Sequence, residues 1–212
     1  MLAGGKPEKL FAQRLEETIH GAEDVLDVGT SQRFAKELRA YEPWFAGKRY
    51  VAAGYEPDQT LGVYSCDCHQ NIQQMTFADA SFDAVLCIAV IEHVDDPFAA
   101  ARELWRVLCP NGRLLLTTPF LYQHHGKPAA KHSPAHTSYP NYWRFTHQGL
   151  GHLFRKSRDD RVFPLGGPIE FRLAQFYLSR VMAWLPVRGL VDLIGHPRVG
   201  KATGRHLLTA VR

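Results

Sequence analysis

The stretch that decides the fold runs from Ser81 to Phe120 and reads SFDAVLCIAVIEHVDDPFAAARELWRVLCPNGRLLLTTPF. Its first part, Phe82–Ile91, is almost unbroken apolar sequence, which is typical of a strand covered on both faces of a parallel sheet. From Pro97 the apolar residues recur at helical spacing, which predicts an amphipathic helix. A Cys-Pro-Asn-Gly segment then ends the helix, and Leu114–Thr118 returns to strand character. The stretch therefore predicts a right-handed β-α-β unit.

Outside this stretch, strand-like and helix-like segments alternate along the chain. The alternation predicts an α/β fold built on a parallel sheet. We expect helices at Leu10–Ile19, Gln32–Glu42 and Thr146–Lys156, and further strands at Asp24–Val28, Arg49–Ala53, Val63–Cys66, Val162–Leu165 and His206–Val211. A length of 212 residues favours a single domain over 1–212, with its N-terminal helix within residues 1–20.

The composition, with 45% apolar and 22% charged residues, is that of a soluble globular protein. Four cysteines without the spacing of a disulfide scaffold indicate reduced thiols. The N-terminal sequence has no apolar core of the signal-peptide type, so we expect a cytoplasmic protein. The net charge of +4 resides between Arg188 and Arg212. We interpret that segment as a solvated tail, with an anionic substrate or a membrane surface as the alternative.

Two segments break the alternation of strands and helices. Residues 121–142 form a His- and Pro-rich loop, and a loop of that length is usually either functional or disordered. Residues 171–194 carry a broad apolar face, which predicts an apolar helical insertion packed on the sheet. Arginines and Pro186 interrupt this face, whereas a membrane span needs ~20 apolar residues in a row. A contact with a membrane surface, a lipophilic acceptor or a partner chain stays open as its alternative role.

Two parts of the chain resemble one family. Val25–Phe34, VLDVGTSQRF, is similar to the first motif of the class I S-adenosylmethionine-dependent methyltransferases, and FDAVLCIAVIEHVDDP…ELWRVLCPNGRLLLTTP is similar to the second half of their type 11 group. The resemblance implies a Rossmann-like fold, with a mostly parallel seven-stranded sheet, helices on both faces and an antiparallel last strand at its edge. It also implies S-adenosyl-L-methionine as the cofactor, bound beyond the carboxyl ends of the strands.

The resemblance further implies a set of cofactor-binding residues. They are Asp27, Gly29, Thr30, Ser31, Glu56, Asp67, Cys68, Ile88 and Ala89. Asp27 and Gly29 match the acid at the strand end and the first glycine of the family motif. Ser31 and Arg33 stand where relatives usually carry two further glycines.

The second and third acidic positions of the family are less regular here. Gly54 stands where relatives have the acid that binds the ribose, so we expect Glu56 to substitute, unless it is an ordinary loop acid. Asp67, with the backbone of Cys68, matches the acid that follows the third strand and binds the adenine. The Cys-Asp-Cys-His sequence lacks the paired spacing of zinc sites, so no metal is predicted.

Histidine is the expected proton acceptor near neutral pH. The segments PFLYQHHGKP and YWRFTHQGL resemble a subgroup in which a His-Gly pair and an aromatic-Arg-Phe-Thr segment flank the acceptor pocket. His125 is therefore the first candidate catalytic residue and His93 the second. His93 is equally interpreted as a residue that caps the next helix or braces the turn.

These observations lead to one functional hypothesis and two alternatives. The hypothesis is a methyltransferase acting on a small-molecule, glycan or lipid-type acceptor. The first alternative is a catalytically degenerate protein of the same fold that serves as a binding or scaffold subunit, which Ser31 and Gly54 favour. The second is an RNA methyltransferase, which only the basic tail supports, so a nucleic-acid partner is disfavoured.

Overall fold

The computed structural model describes residues 7–30, 32–55, 66–121, 140–166 and 205–212. Its α-helices are α1 (Pro7–Ile19), α2 (Pro97–Val107) and α3 (His147–Leu153), and two 3₁₀ helices span Lys36–Phe45 and Ile91–His93. Its strands are β1 (Asp24–Val28), β2 (Arg49–Gly54), β3 (Cys68–His69), β4 (Phe82–Ile88), β5 (Leu108–Pro119), β6 (Arg161–Leu165) and β7 (Arg205–Val211). None of the helices in these ranges has the length and apolarity needed to cross a membrane.

Several sequence predictions concern residues outside these ranges. They are Ser31, Glu56, His125, most of the loop 121–142 and the whole of the segment 171–194. The roles expected for them therefore stay predictions.

The described strands form one sheet in the order β3-β2-β1-β4-β5-β7-β6. β1 to β5 are parallel to one another, whereas β7 is antiparallel to both β5 and β6. The prediction of a mostly parallel sheet with an antiparallel last strand is therefore confirmed. β7 lies one strand inside the edge rather than at the edge, because β6 pairs along its outer side.

Two apolar layers cover the two faces of the sheet, as expected for helices on both sides. Alternate residues of the central strands enter opposite layers, since successive side chains of a strand point to opposite faces. Leu26 and Leu116 pack in the layer under α2 and α3, whereas Val25 and Leu115 pack in the layer under α1. All four are fully buried, which explains why the central strands read as continuous apolar runs.

The prediction of the β-α-β unit is confirmed with one refinement. Helix α2 begins after Asp96, whose carboxylate accepts a hydrogen bond from the Ala99 amide at 2.9 Å, and it ends at Val107. β5 follows at once, and the Cys-Pro-Asn-Gly segment forms a bulge within it rather than a separate turn. The pairing with β4 passes from Phe82 opposite Leu108 to Ala84 opposite Arg113 across this bulge.

Two sequence predictions on the β1–β3 side of the sheet are wrong. The segment expected to be a helix at Gln32–Glu42 is a 3₁₀ helix at Lys36–Phe45, and Pro43 within it lacks the amide hydrogen that a regular α-helix uses. The third strand lies at Cys68–His69, beyond the expected Val63–Cys66. Residues 63–65 themselves lie outside the described ranges.

Helix α2 offers a direct test of the packing on one face. Leu104 is fully buried, whereas Phe98 on the same helix is 49% exposed. Leu104→Ala is expected to lower the free energy of unfolding by about 2–5 kcal/mol, because it removes buried methyl groups and leaves a cavity. Phe98→Ala should cost under about 1 kcal/mol. Urea unfolding followed by circular dichroism measures both, and equal losses would contradict this orientation of α2.

Candidate functional site

The carboxyl ends of β1, β2, β4 and β5 lie at one edge of the sheet. The chain winds outward from β1 toward β3 on one side and from β4 toward β5 on the other. The gap between β1 and β4 is therefore the topological switch point, where open α/β sheets bind their ligands. The residues that follow these strand ends form the candidate site.

A glycine turn follows β1 at this edge. Gly29 has a φ of +70°, and its amide donates to the Ala53 carbonyl at 2.8 Å. A Cβ atom on Gly29 would lie 2.5 Å from Cγ2 of Val90, in the turn after β4. Glycine is required here both for the backbone conformation and for the close approach of the two turns. Thr30, which is buried, continues the turn and donates its hydroxyl to the Gln32 carbonyl at 2.6 Å.

The acid at the end of β1 is held from the neighbouring strand. Asp27 is 2% exposed, and its Oδ2 accepts a hydrogen bond from the Tyr50 hydroxyl at 2.6 Å. Burial, and then the nearby Asp27 carboxylate, raise the pKa of Tyr50 far above its usual range. Tyr50 therefore keeps its proton and acts as the donor. Asp27 lies at the predicted place, with its orientation set by β2.

The end of β2 leaves no room for an acidic side chain. A Cβ atom on Gly54 would lie 2.9 Å from Sγ of Cys66 and 3.1 Å from the Thr30 carbonyl oxygen. Sγ of Cys66 thus fills the direction in which a carboxylate at position 54 would extend. The sequence has no acid at position 54, where relatives have one, and the packing around Gly54 leaves no space for it.

Asp67 does not follow the third strand, contrary to the sequence prediction. It precedes β3, and its Oδ2 accepts hydrogen bonds from the Ala52 amide at 2.8 Å and from Nη1 of Arg33 at 2.5 Å. Ala52 lies within β2, two residues before its carboxyl end. The Asp67 carboxylate is therefore bonded beside the middle of β2, because β3 begins later in the chain than expected. Cys68 is the first residue of β3 and pairs with Ala53.

Asn71, the second residue after β3, is not among the predicted site residues. The preceding residue, Gln70, donates its amide to the Gly54 carbonyl at 2.7 Å, which ties this segment to the end of β2. Asn71 is exposed, and its Oδ1 accepts a hydrogen bond from the Gln73 amide at 3.0 Å. A search for acidic residues passes over Asn71, although a carboxamide oxygen also accepts hydrogen bonds.

The turn after β4 is strained. Ala89 has a φ of +53°, a region that non-glycine residues rarely adopt and that is often found at functional sites. Its amide donates to the Thr117 carbonyl of β5 at 3.0 Å. Ile88 and Ala89 thus lie at the switch point, as the resemblance implies.

His93 and Glu92 hold a distant part of the chain against this edge. Nδ1 of His93 donates to the Pro140 carbonyl at 2.5 Å, and the Glu92 carbonyl accepts hydrogen bonds from the amides of Tyr142 and Trp143. The Glu92 side chain is fully buried. The bracing interpretation of His93 is therefore supported by geometry, and its catalytic role stays a proposal.

A second buried histidine lies farther along the same edge, and the sequence reasoning treated it only as a strand residue. His206 of β7 is 1% exposed. Its ring stacks on Phe120 with centroids 5.0 Å apart and meets the His147 ring edge-on at 6.4 Å. Neither ring nitrogen has a hydrogen-bond partner among the residues that the structure describes. Burial, and to a lesser degree His147, lower the pKa of His206 to about 4.

The glycine turn allows a controlled stability test. Gly21 has nearly the same φ as Gly29, at +71°, but nothing lies within 4 Å of its Cβ position. Gly21→Ala should cost about 1 kcal/mol from backbone strain alone, whereas Gly29→Ala should cost about 2–5 kcal/mol because of the added clash with Val90. The double variant Gly29→Ala with Val90→Ala should recover part of that loss. Thermal unfolding measures all three, and equal costs at the two glycines would contradict the close approach.

The buried His206 predicts a specific dependence of stability on pH. Its pKa is lowered from 6.5 in the unfolded chain to about 4 in the fold. The contribution of His206 to the free energy of unfolding is therefore at its maximum above pH 6.5. It falls by about 3 kcal/mol as the pH falls toward 4, because the unfolded chain binds a proton that the folded chain does not. His206→Phe removes this contribution and keeps a ring against Phe120. The difference in unfolding free energy between the two proteins should be constant above pH 7 and change below 6.5, and a difference independent of pH would contradict it.

Comparison with known proteins agrees with this geometry. Residues 26–116 match the family model described as "Methyltransferase domain". A protein of Mycolicibacterium smegmatis that carries the name of an S-adenosylmethionine-dependent methyltransferase is 31% identical over 112 residues. That alignment covers 50% of this chain and 42% of the relative. A malonyl-[acyl-carrier protein] O-methyltransferase of Erwinia billingiae is 30% identical over 107 residues, covering 48% of this chain and 41% of the relative. The chain thus spans about two fifths of the length of each of these relatives.

A solved structure has a similar fold. The crystal structure of a SAM-dependent methyltransferase from Archaeoglobus fulgidus superposes with a TM-score of 0.57 at 12% identity. The superposition covers 98% of this chain and 95% of that protein. Together, the family model matched over residues 26–116, the strand order and the glycine turn at the switch point support a class I S-adenosylmethionine-dependent methyltransferase.

Proposed function

We propose that this chain binds S-adenosylmethionine at the carboxyl edge of the sheet and transfers the methyl group to a small-molecule, glycan or lipid-type acceptor. The observation that carries the proposal is the glycine turn at Gly29, which closes against Val90 at the switch point between β1 and β4. Such a turn lets the backbone itself approach a ligand.

The described residues fit two parts of this cofactor. The Gly29 turn and the buried Asp27 suit the methionine moiety, for which the family uses a strand-terminal acid and a glycine. Asn71 and the following amide of Ile72 suit the adenine, since Oδ1 can accept from its amino group and an N–H can donate to a ring nitrogen. The described residues offer no carboxylate at the end of β2 for the ribose, and we propose Glu56 for that contact.

The chain's own residues supply binding, orientation and a proton acceptor. When bound, the cofactor supplies a methyl group that is already activated on a sulfonium, so proximity and orientation account for most of the remaining rate gain. The bond from Nδ1 of His93 to the Pro140 carbonyl fixes one tautomer, because a carbonyl can only accept. In the neutral ring, Nε2 then carries the lone pair, and this atom lies 3.7 Å from Oε1 of the buried Glu92. Removal of a proton from an acceptor hydroxyl is the step that a histidine would assist. His93 and His125 are the two residues proposed for this step.

The acceptor atom is proposed from chemistry and similarity together. The similar protein of Erwinia billingiae is named as an O-methyltransferase, which supports an oxygen nucleophile here. A hydroxyl group loses a proton when it is methylated, so a histidine at the edge would serve this reaction.

One observation favours a second candidate function. Cys66 fills the space beside Gly54 where the family places its ribose-binding acid. A protein that has lost cofactor binding but keeps the fold as a binding subunit would show the same feature. Calorimetric titration of the chain with S-adenosylmethionine separates the two candidates, because a binding subunit of this kind would show no heat of binding at millimolar ligand.

A pair of variants tests which residue contacts the adenine. Asn71→Ala should weaken binding of S-adenosylhomocysteine by about 3–10-fold, the value of one lost hydrogen bond. Asp67→Ala should leave the dissociation constant within about twofold, because the Asp67 carboxylate is bonded beside the middle of β2. Isothermal titration calorimetry measures both, and circular dichroism checks that each variant is folded. A loss in Asp67→Ala as large as that in Asn71→Ala would overturn the assignment of Asn71.

A further inference from the structure

The two ring nitrogens of His206 require an explanation that the fold does not supply. Neither has a hydrogen-bond partner among the described residues, although the side chain is 1% exposed. A buried polar group without a partner is costly, and in native proteins such a group usually meets an ordered water or a ligand, or has a role in the chemistry. The ring is also held in place, since it stacks on Phe120 and contacts His147.

His206 lies at the carboxyl edge of the sheet, away from the proposed cofactor contacts. β7 runs antiparallel to β5, so its first residues lie at the carboxyl end of β5, where His206 pairs with Thr118. Two strand spacings, roughly 10 Å, separate β7 from β4. The Thr118 hydroxyl lies between the two, 3.4 Å from Oε2 of Glu92. The glycine turn after β1 is one strand farther away, so His206 is remote from the proposed cofactor contacts.

The chemistry of a neutral imidazole limits what it can bind. One ring nitrogen donates a hydrogen bond and the other accepts one. A hydroxyl group also donates and accepts, so it can pair with either nitrogen. A carboxylate only accepts, and its charge would be buried against a neutral ring at a desolvation cost. A hydroxyl-bearing acceptor is therefore the better match.

We propose that His206 is a specificity-determining residue that hydrogen-bonds a hydroxyl group of the methyl acceptor, roughly 10 Å along the sheet edge from the end of β4. This inference rests on the proposed methyltransferase function. It concerns recognition of the acceptor and assigns His206 no part in the methyl transfer itself.

The direct test uses the unaltered 212-residue chain, saturated with S-adenosylhomocysteine, and three small probes. Phenol and cyclohexanol present a hydroxyl group, and benzoate presents a carboxylate. Long-range ¹H–¹⁵N NMR spectra report the ring nitrogens of His206 in the unaltered protein, so the test does not depend on a variant that folds. Millimolar phenol or cyclohexanol is expected to shift these resonances in a saturable way, and benzoate is expected to leave them unchanged.

Two variants extend the test to affinity. His206→Phe keeps the ring against Phe120 but lacks both nitrogens, so phenol should bind about 10-fold more weakly. His152→Phe is the matched control, because His152 is an exposed histidine on α3, and phenol binding should not change. The dissociation constant of S-adenosylhomocysteine should stay within twofold in both variants.

The outcomes separate this inference from the proposed function. Failure of the unaltered chain to bind S-adenosylhomocysteine would overturn the proposed function. If S-adenosylhomocysteine binds but neither hydroxyl probe moves the His206 ring resonances, the inference about His206 is overturned. A shift with benzoate that exceeds the shift with phenol would overturn the assignment of a hydroxyl group.

Discussion

The site depends on the close approach of the turns that follow β1 and β4. No side chain fits at Gly29, because Val90 occupies the direction in which a Cβ atom would extend. Each turn is also bonded to the outer neighbour of its strand. The amides of Gly29 and Thr30 donate to Ala53 of β2, and the Ala89 amide donates to Thr117 of β5. Four strand ends are thereby fixed relative to one another, with the left-handed backbone of Gly29 and Ala89 at the centre.

The central elements of the fold could be predicted because their signals are local. β1, β2, β4 and α2 each carry an apolar pattern of the right period within their own residues. β3 has only two residues, which is too short to produce a period, so its place was misjudged. The bulge at residues 109–112 depends on how β5 pairs with β4. Such pairing is a property of two separate segments and cannot be read from one.

The difference between local patterns and the pairing of separate segments also explains which site residues could be predicted. Gly29 follows β1, whose end at Val28 is as predicted. β4 ends at Ile88, three residues before the end of the apolar run Phe82–Ile91, so Ala89 lies in the turn rather than in the strand. Asp67 was assigned from a strand end that is displaced in the structure, and Asn71 was passed over for the same reason. His206 shows most clearly what cannot be predicted from the sequence. Its environment is built by Phe120 and His147, which are distant in sequence and are brought to it by the pairing of β5 with β7 and by the start of α3.

Two departures from the family pattern are joined by one set of contacts. Arg33 stands where relatives usually carry a glycine, and its guanidinium bonds the Asp67 carboxylate and the Tyr50 carbonyl. Asp67 also accepts a hydrogen bond from the Ala52 amide, and the adjacent Cys66 fills the space beside Gly54. The arginine at position 33 and the glycine at position 54 are therefore linked, through Asp67 and the adjacent Cys66. An acid placed at position 54 alone would displace Cys66 or the Thr30 backbone, so the residues at positions 33, 54, 66 and 67 are linked by contacts rather than independent of one another.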